Sequence, residues 1–179
     1  MEIAIRSYLA ASHLLESDAR RWDAIIILDS NTLESEFVEN NTRTSLFLRF
    51  DDVISSAQGK RSPTTEDIRS AIQFSDGSDR LMVCCRAGQS RSVATAFSIA
   101  YHKLGADAAL DLLDPKRHSP NSLIIQLASG IIDDPMFATM YNEWQIANSH
   151  IKLIDYVDEI EHEIDVLESN GARDRIVRY

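Results

Sequence analysis

Two short apolar runs constrain this chain more than any other feature. Ala24-Ile25-Ile26-Ile27-Leu28 lies between Asp23 and Asp29, and Arg80-Leu81-Met82-Val83-Cys84 leads into a loop that carries Gly88. Neither run alternates polar with apolar residues, so each predicts a strand covered on both faces. Ile3 to Arg6 and Leu46 to Phe50 read as two further strands. Helical patterns run over Tyr8 to Glu16 and over Val93 to Leu104, the second closed by Gly105 in a C-cap position. Another starts at Ser62-Pro63-Thr64-Thr65-Glu66, with proline and an acidic residue in its first turn, and stops near Asp76-Gly77. Asp107 to Leu113 and Asn121 to Ile132 complete the series. Strands alternating with helices predict an α/β fold, with a central, largely parallel sheet of about four or five strands flanked by helices.

From Met136 to Glu168 the chain reads as one long helical pattern with room for a break near Asn148-Ser149. In its second half, Ile151, Ile154, Val157, Ile160, Ile164 and Leu167 recur every three or four residues, interleaved with Asp158, Glu159, Glu161, Glu163 and Asp165. Such an extended amphipathic helix packs on the domain's own core, or serves as the seam of a homodimer or partner complex.

The 179 residues suit one domain with a modest appendage. Their formal net charge of −10 opposes nucleic acid or anionic membrane as a main partner. The cationic clusters are Lys60-Arg61 and Lys116-Arg117-His118. The only cysteines, Cys84 and Cys85, are neighbours, which excludes a framework of disulfides between distant segments. The first 23 residues hold neither a basic leader nor a long apolar stretch, so a cytoplasmic protein is expected. His13, His102, His118, His150 and His162 show no metal-ligand spacing, and no metal or cofactor is expected.

The chemistry concentrates in Cys85-Arg86-Ala87-Gly88-Gln89-Ser90-Arg91-Ser92, between a predicted buried strand and a predicted buried helix. Ligands of open α/β sheets bind at the carboxyl ends of strands, where helix N-termini point. A short loop there can turn several backbone N–H groups inward, and the helix dipole adds positive potential. Gly88 permits the tight path. These groups and the Arg91 guanidinium favour the thiolate form of Cys85. Arg91 can hold two phosphate oxygens with its planar fork, while the thiolate attacks phosphorus in line. Ser92 can donate to the sulfur as it leaves. The expected cradle is therefore Arg86, Ala87, Gly88, Gln89, Ser90 and Arg91.

The spacing Cys85-x5-Arg91, in the form CRAGQSRS, resembles the signature loop of the cysteine-dependent protein tyrosine phosphatases, in particular the small bacterial-type dual-specificity-like branch. Its fixed residues would follow a cysteine by chance on the order of once in 10⁵ cysteines. Arg117-His118-Ser119-Pro120-Asn121, ahead of the apolar Leu123 to Leu127, resembles a helix start that supports the loop in the same family. The resemblance extends from about Leu46 to Leu127. It implies a dual-specificity-phosphatase-like domain over residues 1–148, with 149–179 as a C-terminal helical extension.

The resemblance also implies a general acid, an aspartate about thirty residues before the cysteine. Asp51 and Asp52 lie 34 and 33 residues upstream, and Arg49-Phe50-Asp51-Asp52-Val53 resembles the family's segment in a register that favours Asp52, with Asp51 second. Both could equally be turn residues at a strand end. Asp134-Pro135 matches the acid of the low-molecular-weight phosphatases, but that family places its loop after the first strand. Here the pair reads as a helix start. The expected catalytic set is Cys85, Arg91, Asp52 and Ser92. Cys84 stands where the dual-specificity pattern has histidine. It is expected to face the core, with a vicinal disulfide to Cys85 as the alternative.

The implied substrate is a phosphorylated protein, with phosphotyrosine or mixed specificity. Arg86 and Lys60-Arg61 suit instead a small acidic phosphate such as an inositol phosphate or nucleotide. A catalytically weak module that only binds phosphorylated partners is the alternative from another class.

Overall fold

The computed structural model describes residues 1–178. Four parallel strands form its central sheet: β1 (Glu2–Ser7), β2 (Asp23–Leu28), β4 (Thr44–Arg49) and β5 (Arg80–Cys85), in the order β1-β5-β2-β4. All six residues of β2 are buried, as the unbroken apolar run requires. Successive side chains alternate between two cores. Ile25, Ile27, Leu81, Val83 and Cys85 face one. Ala24, Ile26, Leu28, Met82 and Cys84 face the other.

The first core is closed by helices α3 (Thr65–Phe74), α4 (Arg91–Leu104), α5 (Ala106–Asp111), α6 (Ser122–Ile132) and α7 (Pro135–Ala147). The second is closed by α1 (Tyr8–Ser17) and α2 (Glu36–Asn41), and by Ile176 and Val177 of the tail. Two-residue strands β3 (Leu33–Glu34) and β6 (Val177–Arg178) pair antiparallel and carry the tail back across the domain.

The long C-terminal helical pattern divides in two. Helix α7 ends at Ala147, a 3-10 turn spans Leu153–Tyr156, and α8 covers Val157–Ser169. Helix α8 and the open edge of β1 together wall a groove of about 790 Å³, with Ile160, Ile164 and Leu167 lining it. Arg117 of the α5–α6 connection holds Glu163 of α8 with both ends of its guanidinium. Among the described residues no helix is long and apolar enough to cross a membrane.

The aligned starts of β2 and β4 rest on one buried carboxylate. Asp23 accepts from Arg43 Nε and Thr44 Oγ1, each at 2.8 Å, and from Arg43 Nη2. The Arg43 hydrogen bonds outweigh burial and hold the Asp23 carboxyl at about 2. A carboxyl depressed in the folded state stabilises fully above its unfolded value of about 3.9 and loses that contribution as pH falls through the folded one. Asp23→Asn should therefore cost about 1–3 kcal/mol at neutral pH, by urea denaturation. The gap to wild type should narrow as pH falls from about 4 to about 2.

Candidate active site

Strands β5, β2 and β4 all end on the same side of the sheet, and their carboxyl ends supply the walls of one cavity. After Cys85 the chain turns through Arg86–Ser90 into α4. Gly88 sits at φ +71°, and a Cβ there would lie 2.6 Å from Ser7 N and 2.7 Å from the Arg6 carbonyl carbon. Only glycine lets the loop lie this close to the end of β1.

The loop's carbonyls are tied outward. Arg86 O accepts from Tyr8 N at 3.4 Å, and Gln89 O accepts from Ser119 N at 2.8 Å. Ser90 O accepts from Ala94 N at 3.0 Å and from Asn121 N at 3.4 Å. The amides of Arg86 to Ser90 donate to no other described residue. Ser90 occupies the N-cap of α4 but makes no side-chain cap; its hydroxyl donates instead to Asp52 Oδ1 at 2.8 Å. The N-terminal end of a 14-residue helix is thus left without a side-chain acceptor.

Cys85 Sγ lies 3.1 Å from Ser92 Oγ, and both residues are buried. Arg91 is 3% exposed. Its Nη1 donates to Phe50 O at 2.8 Å and pairs with Asp29 Oδ1 at 2.8 Å, while its Nε has no partner among the described residues. Tyr8 donates its hydroxyl to Ile27 O at 2.7 Å, and burial pushes that phenol well above its ordinary range.

The two candidate acids have different surroundings. Asp51 is 4% exposed and accepts from Ser30 Oγ at 2.7 Å and Arg61 N at 2.8 Å, with Lys60 Nζ at 3.8 Å. Burial raises its carboxyl, but the Ser30 and Arg61 hydrogen bonds prevail and leave it below its ordinary value. Asp52 is exposed, and both its contacts fall on Oδ1: Ser90 Oγ, and Asn121 Nδ2 at 2.7 Å. Asn121 also caps α6, accepting from Leu123 N and Ile124 N at 3.1 Å. The Ser119-Pro120-Asn121 segment therefore joins the loop, the Asp52 carboxylate and α6.

A cavity of about 360 Å³ is walled by Cys85, Arg86, Ala87, Gln89, Ser90 and Arg91 on the loop and by Asp29, Asp51, Asp52, Val53 and Lys60 opposite. Of the residues expected to form the cradle, Gly88 does not line it; it packs against β1. Ser92 lies behind the cavity, against the sulfur. Arg61 is turned away, pairing with Asp67 at 2.9 Å. Asp134 caps α7, accepting from Met136 N at 2.9 Å, and takes no part in this cavity. Cys84 is buried on the opposite face of β5 from Cys85, so a vicinal disulfide would require this strand end to be rebuilt.

In the sequence Asp29 marks only the end of an apolar run. Its one signal is position, immediately after a buried parallel strand, where ligands of such sheets bind.

The parallel four-stranded sheet flanked by helices gives this chain a dual-specificity-phosphatase-like fold. No family model matches the sequence, and no curated protein matches it. Among solved structures the chain is similar to DUSP15, with TM-score 0.52 and 15% identity over 79% of this chain and 88% of that one. It is also similar to PTPMT1 in complex with PI(5)P, with TM-score 0.51 and 12% identity over 74% of this chain and 90% of that one. Identities this low speak for the fold alone.

Proposed function

We propose that this chain is a phosphatase that hydrolyses phosphomonoesters through a phosphocysteine intermediate. The observation that carries the reading is the pairing of a buried cysteine with a buried arginine on one cavity, where the arginine's Nε and five successive loop amides donate to no described residue. A buried cationic donor without an acceptor is costly unless an anion completes it. The phosphoryl group supplies three oxygens for these donors.

In this mechanism the Cys85 thiolate attacks phosphorus in line, and the bond to the leaving oxygen breaks. The loop amides and Arg91 neutralise the equatorial oxygens as charge shifts onto them. Asp52 gives its proton to the leaving oxygen, then as carboxylate takes one from the water that attacks phosphocysteine. Its Oδ2 remains for both transfers, because Ser90 and Asn121 hold only Oδ1. Ser92, 3.1 Å from the sulfur, donates to the thiolate when it departs.

Asp52→Ala should lower kcat/KM for alkyl and phenyl phosphates by about 10²-fold or more, yet change kcat/KM for an activated aryl phosphate far less, because kcat/KM reports formation of phosphocysteine and not its hydrolysis. Equal losses on both would move the acid elsewhere. The finer reading is a protein phosphatase acting on phosphotyrosine, alone or with phosphoserine and phosphothreonine. Arg86 and Lys60, both largely exposed at the cavity wall, favour a second reading, a small polyanionic phosphate. The same fold in PTPMT1 holds PI(5)P. Rates on a phosphotyrosine peptide and on an inositol phosphate, each with Arg86→Ala, separate the two. The second reading expects the variant to harm the polyanion selectively. Oxyanion binding with no turnover of any ester would point to a phosphate-reading module.

A further inference from the structure

A guanidinium carries five N–H groups in one plane, two of them on Nη1. In Arg91, Nη1 donates to Phe50 O at 2.8 Å, and the Asp29 carboxylate lies against the same nitrogen as its ion-pair partner, Oδ1 at 2.8 Å. The Nε–Nη2 edge donates to no described residue. That edge offers two parallel N–H groups at the spacing of two phosphate oxygens. With the Phe50 carbonyl as its only acceptor, the guanidinium could swing about that single hydrogen bond. The Asp29 carboxylate, 2.8 Å from the same nitrogen, holds that end of the guanidinium by charge and restrains the swing.

We propose that Asp29 is the positioning residue for Arg91, setting the guanidinium so that its Nε–Nη2 edge meets the phosphoryl oxygens. This rests on the reading of the site as a phosphate cradle.

Asp29 acts in two opposed ways, since its carboxylate also repels the dianion the cavity would take. Burial decides which prevails. The Asp29 side chain is 32% exposed, so water screens its repulsion, whereas the Arg91 side chain is 4% exposed. A misdirected Arg91 has no water through which to recover the lost bonds. Arg86 Nη1, 3.9 Å from Asp29 Oδ2, offsets more of the negative charge.

The test is calorimetric titration of the full chain with tungstate, a non-transferable oxyanion, alongside turnover of para-nitrophenyl phosphate. Asp29→Ala should weaken tungstate by about tenfold or more and lower kcat with it. Asp29→Asn keeps an acceptor oxygen and removes the repelling charge, so it should bind at least as tightly as wild type. In an Arg91→Lys background, Asp29→Ala should add no further loss, because lysine has no planar fork to orient. Undiminished tungstate affinity in Asp29→Ala overturns the proposal, as does an equal further loss in the Arg91→Lys background. If Asp29→Ala does not fold, Asp29→Asn decides, and a tenfold loss there also overturns it. Failure of wild type to bind tungstate or turn over any ester removes the cradle reading itself, and the proposal with it.

Discussion

Replacing Cys85 with serine is expected to lower turnover of para-nitrophenyl phosphate by at least about a thousandfold, with reductant and chelator present. Oxyanion affinity should stay within about threefold of wild type, because the loop amides and Arg91 hold the anion and neither depends on the sulfur. A serine hydroxyl at this position is nearly un-ionised at neutral pH and a far weaker nucleophile than a thiolate. The cavity itself should not change, since Cys85 is the last residue of a fully paired strand and its neighbours are fixed by β5 and α4. Kinetics and tungstate calorimetry on the same preparation separate the two effects. Substantial turnover in Cys85→Ser would move the nucleophile elsewhere.

Gly88→Ala should be the most damaging glycine substitution in the chain. Its backbone at φ +71° costs about 1 kcal/mol or more for any residue with a Cβ. The new methyl also meets Ser7 N and the Arg6 carbonyl carbon at 2.6 and 2.7 Å, and neither is a flexible side chain that could give way. Either β1 or the loop must move, adding roughly 1–3 kcal/mol. Because Tyr8 N binds Arg86 O, movement of either distorts the cradle. Gly77→Ala is the control: φ is +80° there, but nothing lies within 4 Å of the added carbon. It should show the backbone cost alone, with activity unchanged. Urea denaturation and turnover of both variants check the comparison, and equal losses would contradict it.

The central strands were legible because each is a β-branched or apolar run longer than any turn allows. The Leu46–Phe50 run marked its strand too, although β4 starts two residues earlier at Thr44, where Asp23 takes up the Thr44 hydroxyl. That Cys85, Arg91 and Ser92 meet at one strand–loop–helix junction follows from their adjacency in sequence. The opposite directions of Cys84 and Cys85 followed from the period of two along a strand.

Other features depended on distant partners. Beyond the resemblance that favours Asp52, nothing local separates it from Asp51; the difference comes from Ser30 and Arg61, which take up Asp51, and Ser90 and Asn121, which hold Asp52. Asp29 resembles any aspartate at a strand end until Arg91, 62 positions later, is folded against it. Strands β3 and β6 are two residues each and pair across most of the chain length, too short for any periodicity. The division of the C-terminal helical pattern into α7, a 3-10 turn and α8 had only Asn148-Ser149 to announce it.

The most direct test of the account is to trap the covalent intermediate. Asp52→Ala should accumulate it on an activated aryl phosphate, since loss of the base slows attack of water more than formation of the sulfur–phosphorus bond. After a rapid quench, mass spectrometry of the digested protein should find the phosphoryl group on Cys85. Steady turnover by wild type with no phosphoryl group on Cys85 in either protein, or with it on another residue, would contradict the mechanism.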